Sequence, residues 1–118
     1  MKRDKVMAMT DVELRIEVQE LLGKDMRWIT TWKDKERGLN EENVPDYPNE
    51  MSDAWELVEL MKQSEWYPEI MNVGVRGELW CVYLDNVSGS IRDMYAQNEN
   101  AERAITQAFI LAMTNEGE

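Results

Sequence analysis

The run Leu79-Trp80-Cys81-Val82-Tyr83-Leu84 constrains this chain more than any other stretch. Read as a strand, it places successive side chains on opposite faces. Leu79, Cys81 and Tyr83 share one face, and Trp80, Val82 and Leu84 share the other. Both faces are apolar, so both should be covered, and helices on each side of a sheet are the expected cover. The neighbouring sequence supplies that sheet. Residues 66–73 form a first strand, with Pro68 restricting its start to an edge position or to pre-strand loop. Gly74-Val75-Arg76-Gly77 reads as a hairpin turn into a second strand over 78–84. After the turn Asp85–Gly89, residues 90–96 form a weaker third strand, with Ile91, Asp93 and Tyr95 alternating against Arg92, Met94 and Ala96. Connections this short make an antiparallel meander.

Three helices are expected around it. The first spans about residues 10–22. Thr10 and Glu13 have capping-box spacing, and Leu14, Val18, Leu21 and Leu22 form one stripe. Gly23 fits the stop. Val12 and Ile16 fall off the stripe, which predicts contact on a second side. The second helix, 49–63, follows the loop residues Pro45 and Pro48. Asn49 is read as its N-cap. Met51, Ala54, Trp55, Val58 and Met61 form its apolar face, Glu50, Asp53, Glu56 and Glu59 its polar half, and Leu60 projects into that acidic half. The third, 100–114, starts at the N-cap Asn100. Ala101, Ala104, Ile105, Ala108, Leu111 and Ala112 form its stripe, with Ile110 opposite them beside Arg103, Thr106 and Gln107. An apolar residue there is either incidental or a contact with another chain. Residues 24–48 are the least regular part: a long loop with a short strand or extended piece possible at 27–32, which would add a fourth strand. The whole reads as one domain, 1–118, of α+β class: an α/β/α sandwich in the order α-α-β-β-β-α.

Charge and composition exclude several functions. The chain of 118 residues carries a net charge of −11. Residues 1–37 hold nine Lys/Arg against eight Asp/Glu, and 38–118 hold four against sixteen. Such a surface repels phosphate, so direct nucleic-acid binding is disfavoured, and a basic partner is favoured. The αβββα order is shared with double-stranded-RNA-binding domains, but those need a basic face that this chain lacks. The first ten residues are charged and unlike a signal peptide, and no apolar run reaches membrane-span length, so a soluble cytosolic protein is expected. The single cysteine, Cys81, permits no internal disulfide and reads as a core thiol. The sequence contains no histidine, no phosphate loop and no nucleophile elbow. The expectation is a non-enzyme with no catalytic residues, no metal site and no cofactor.

The helix Pro48–Met61, the strand Leu79–Leu84 and the Ala-rich helix Ala104–Ala112 together resemble the phage ABA sandwich domain family of small phage and prophage proteins, over about residues 10–114. The resemblance implies an α/β/α sandwich and a phage or prophage gene acting in a bacterial cytosol. It implies no catalytic residues. Loop 33–48 departs from it.

The leading functional expectation is a phage accessory protein that binds and inhibits a host protein with a basic surface, such as a nucleic-acid-handling defence factor. This would be an anti-CRISPR or other anti-defence role. Glu41, Glu42, Asp46, Glu50, Asp53, Glu56 and Glu59 would occupy a groove meant for phosphates, and Trp28, Trp32 or Leu60 would supply an apolar anchor. For Trp28 and Trp32 the alternative is a plug on the core. A second expectation is an oligomeric module for a small molecule such as a signalling nucleotide, with Ile110 at a homo-oligomer contact and Arg76, Arg92 and Arg103 meeting phosphates. A third is a structural phage protein acting through self-association.

Overall fold

A computed structural model of the chain describes residues 3–24, 26, 37–40, 44–86 and 89–114, with the backbone alone at 86 and 89–95. Its elements are α1 (Arg3–Met7), α2 (Asp11–Leu21), α3 (Met51–Gln63), β1 (Trp66–Val73), β2 (Leu79–Asn86), β3 (Gly89–Asn98) and α4 (Ala101–Met113). The fold is an α+β sandwich built on a three-stranded antiparallel meander in the order β1-β2-β3.

The local signals act as their chemistry requires. Thr10 Oγ1 accepts from the Glu13 backbone N–H at 3.2 Å, and the Glu13 carboxylate accepts from the Thr10 N–H at 3.0 Å. This reciprocal box satisfies two donors that the first turn of α2 leaves open. Gly23 ends α2 with φ +82°, a conformation that a side chain disfavours. Asn100 caps α4 by accepting from the Arg103 N–H at 2.9 Å. Asn49 does not cap α3. Glu50 holds that position with no side-chain bond, and the Asn49 amide donates instead to Asp11 and Asp46. The turn between β1 and β2 is closed by Gly77 N–H donating to the Gly74 carbonyl at 3.2 Å. Gly77 has φ +66°, and a Cβ there would stand 2.3 Å from Asn72 Oδ1.

Helix α1 is a departure from the sequence reading. The sequence reading places its first helix at 10–22 and none before it, yet Arg3–Met7 is helical and Val6 and Met9 are buried in the main core. Val6 and the half-buried Met7 hold the helix, which sits against α4 and β3. β3 also departs from simple alternation. Leu84 pairs with Ile91 but Tyr83 pairs with Tyr95, so three extra residues interrupt the ladder. The two-residue period expected over 91–95 does not run through that irregularity.

The main core joins Val6, Leu14, Val18, Ala54, Leu57, Val58, Met61, Val82, Leu84 and most of α4. The Trp80, Val82 and Leu84 face of β2 thus lies under the helices. On the other face Cys81 is buried at 2% exposure, with Leu79 and Tyr83 half-buried. Cys81 joins neither core cluster of the described residues. A second, smaller cluster of Ile16, Met26 and Val44, with Val12 and Leu39 against it, sits on another side of α2. This is the second contact that the off-stripe Val12 and Ile16 predict.

Helix α4 is the hub. It touches all three strands and α1, α2 and α3. Ten of its thirteen residues are buried. Ile110, expected opposite the core and available to another chain, is fully buried. The side that looks solvent-facing from periodicity is roofed by other helices. A position assigned to a homo-oligomer contact is therefore an internal packing residue.

Candidate functional site

Three residues of α2 at successive i, i+4 positions, Asp11, Arg15 and Gln19, hold the loop that precedes α3. They lie one above another on the helix surface. Asp11 accepts from the Asn49 amide at 3.1 Å. Arg15 Nε donates to the Pro45 carbonyl at 3.1 Å, its terminal nitrogen donates to the Val44 carbonyl, and Nε lies 3.9 Å from Asp46 Oδ1. The Tyr47 hydroxyl donates to Gln19 Oε1 at 2.8 Å inside the protein. Burial, then the nearby Glu56 and Asp53 carboxylates, push the Tyr47 pKa up to about 12, with Arg15 pulling the other way. The sequence carried a faint signal for this ladder, namely three polar residues at helical spacing beside an apolar stripe.

Two of the acids assigned to partner binding bond within this loop and its junction with α3. Asp46 accepts from Asn49 at 3.0 Å and pairs with Arg15, and its own backbone N–H donates to Asp53 Oδ2 at 3.0 Å. Asp46 and Asp53 therefore fix the entry to α3, and with Arg15, Leu39, Asn40, Pro45 and Glu50 they line a polar cleft of about 480 Å³. Glu50, Glu56 and Glu59 are exposed. Glu59 lies 3.9 Å from Lys62, an exposed pair of little energetic weight. Trp28, Trp32, Glu41 and Glu42 lie outside the described residues, as does the segment 27–32 read as a possible strand.

The apolar side of α3 is rotated from the one periodicity suggests. The buried set is Ala54, Leu57, Val58 and Met61. Leu60, expected to project among the acids, packs half-buried against the main core. Conversely, Trp55 is 49% exposed and Met51 42%, although both were assigned to the core stripe. The reason is that α3 meets both β1 and α4, so its buried arc centres on Ala54, Val58 and Met61 and leaves Trp55 on the flank.

That flank forms one wall of an open groove of about 640 Å³. Met51 and Trp55 stand on one side, Ile70 and Trp80 line it from the sheet, and Ala101 and Ile105 lie at the start of α4. Glu99 and Glu102 border it, and no basic residue is among those lining it. Sequence reasoning missed this groove because its parts come from α3, two strands and α4.

Of the arginines proposed to meet phosphates, the Arg92 side chain lies outside what the structure describes, and the other two are placed unequally. Arg103 donates to the Met9 carbonyl and pairs with Asp11, and burial pulls its pKa down from the ordinary arginine value. Arg76 stands in the β1–β2 turn, where its backbone N–H donates to Glu78 at 2.8 Å. Among the described residues no group of three His, Cys, Asp or Glu side chains is arranged to hold a metal ion. No described helix is long and apolar enough to cross a membrane.

The fold and its surface define a small α+β sandwich with an acid-rimmed apolar groove between α3 and the start of α4. The chain belongs to the phage ABA sandwich domain family, whose sequence model matches residues 5–110. It is thus a phage-type protein. Comparison with curated proteins and with solved structures gives no match.

Proposed function

We propose that this protein is a non-enzymatic phage accessory protein that binds and inhibits a host protein in the bacterial cytoplasm. A nucleic-acid-handling defence factor fits best, because its phosphate-binding surface is basic. The observation that carries the reading is Trp55, a half-exposed tryptophan beside Met51 at an apolar groove on an acidic protein. Tryptophan anchors ringed by polar residues are the usual energetic centres of protein interfaces. The net charge of −11 steers association with a basic surface. Relative to the sequence expectation, Trp55 replaces Leu60 as the anchor, and Glu50, Glu56 and Glu59 remain as the exposed acids of α3.

The test is capture from host lysate by tagged wild type, Trp55→Ala and the double variant Glu56→Lys/Glu59→Lys. The expected result is a basic host protein retained by wild type, released by added salt and lost with both variants. Retention indifferent to salt and to charge reversal counts against the reading.

A further inference from the structure

We propose that the groove between α3 and the start of α4 is the seat for a basic amphipathic helix of the partner. This rests on the reading of the chain as a host-binding protein and specifies what is bound. The groove is walled by side chains from α3, the outer strand β1, the central strand β2 and the start of α4. Trp80 lies on β2, which is hydrogen-bonded on both sides, so an extended peptide finds no strand edge at that point. Docking by strand addition needs such an edge, whereas docking of a helix needs an apolar trough with anchors one turn apart. Met51 and Trp55, four residues apart on α3, supply that spacing, and Ile70, Trp80 and Ile105 supply the trough.

Charge selects the sign of the occupant. Glu99 and Glu102 stand on the α4 side. On the α3 side Glu59 lies one turn beyond Trp55 and is exposed. A helix with Leu-type residues on one face and Lys or Arg flanking them satisfies both borders, because rim charges on each side meet opposite charge. A second copy of this chain is disfavoured as the occupant, since it would bring another net charge of −11 against an already acidic border.

The experiment titrates the full isotope-labelled chain with two short synthetic helices of equal length, one Leu/Lys and one Leu/Glu. Tryptophan indole N–H signals report the position of contact. The Leu/Lys helix is expected to bind and to shift the Trp55 and Trp80 signals. Affinity is expected to fall about ten-fold in Trp55→Ala and in Glu99→Lys/Glu102→Lys, and to hold in the control Glu20→Lys on the exposed side of α2. Glu99 is exposed and Glu102 is half-buried in the first turn of α4, so melting curves check each variant, and Glu99→Lys alone is the variant that leaves α4 untouched. Equal binding of the Leu/Glu helix, equal loss in the Glu20→Lys control, or self-association through the same signals overturns the proposal. So does an absence of Leu/Lys binding, and if Trp55-dependent capture of a host protein persists in that case, only the helix assignment falls.

Discussion

Gln107 is fully buried in α4, and neither its amide nitrogen nor its amide oxygen has a hydrogen-bond partner among the described residues. A buried amide without partners costs about 1–3 kcal/mol. Thr106 beside it avoids that cost by donating to the Glu102 carbonyl at 2.8 Å. Gln107→Leu keeps the volume and removes the penalty, so it is expected to raise stability by about 1 kcal/mol in chemical denaturation; a loss of stability would mean the amide is satisfied. Tyr47 makes an opposite kind of prediction. An unfolded tyrosine loses its proton near pH 10, whereas the folded Tyr47 holds it to about 12. Its contribution is therefore complete below pH 10 and is lost as pH rises through 12, because the unfolded chain gives up its proton first. Denaturation midpoints should fall between about pH 10 and 12, and less steeply in Tyr47→Phe.

The helices make their predictions through their ends and their sides. Thr10→Ala removes the acceptor for the Glu13 N–H and leaves α2 uncapped, at an expected cost of about 1 kcal/mol. Circular dichroism on melting measures it, with Thr10→Ser as the rescue. For α4 the decisive residue is Ile110. A surface contact for a second chain would make Ile110→Ala change the oligomeric state at little cost in stability. Full burial makes it instead a cavity-forming substitution, expected to cost about 2–5 kcal/mol with no change in sedimentation. α4 also shows where periodicity misleads. Its small residues on one side and Arg103, Thr106 and Gln107 on the other suggest a two-sided helix, but a helix can be enclosed on every side once other elements roof its second face. α3 errs in the reverse direction, since Trp55 and Met51 match the spacing of a core stripe and still face outward.

Across the whole molecule the core is divided by α2. The main cluster unites three helices, α4 and the sheet, while the second holds only Ile16, Met26 and Val44 with two partial neighbours. Stability should be distributed accordingly. Val44→Ala is expected to speed hydrogen exchange at residues 44–50 while moving the global melting transition less than Ile110→Ala, because few contacts depend on it. The order of elements from α2 onward, the meander, the capping box, the Asn100 cap, the two-sided α2 and the buried Cys81 were all legible in the sequence. These follow from spacing, turn chemistry and local hydrogen bonds, which act over a few residues. Tertiary structure alone decided that Val6 anchors a short first helix, that Ile110 and Leu60 turn inward and Trp55 outward, and that Asp46 and Asp53 bond to the loop before α3. Each of those outcomes depends on how elements far apart in the chain stack. Helical spacing says which residues share a face, and only the packing of neighbours says which face meets water.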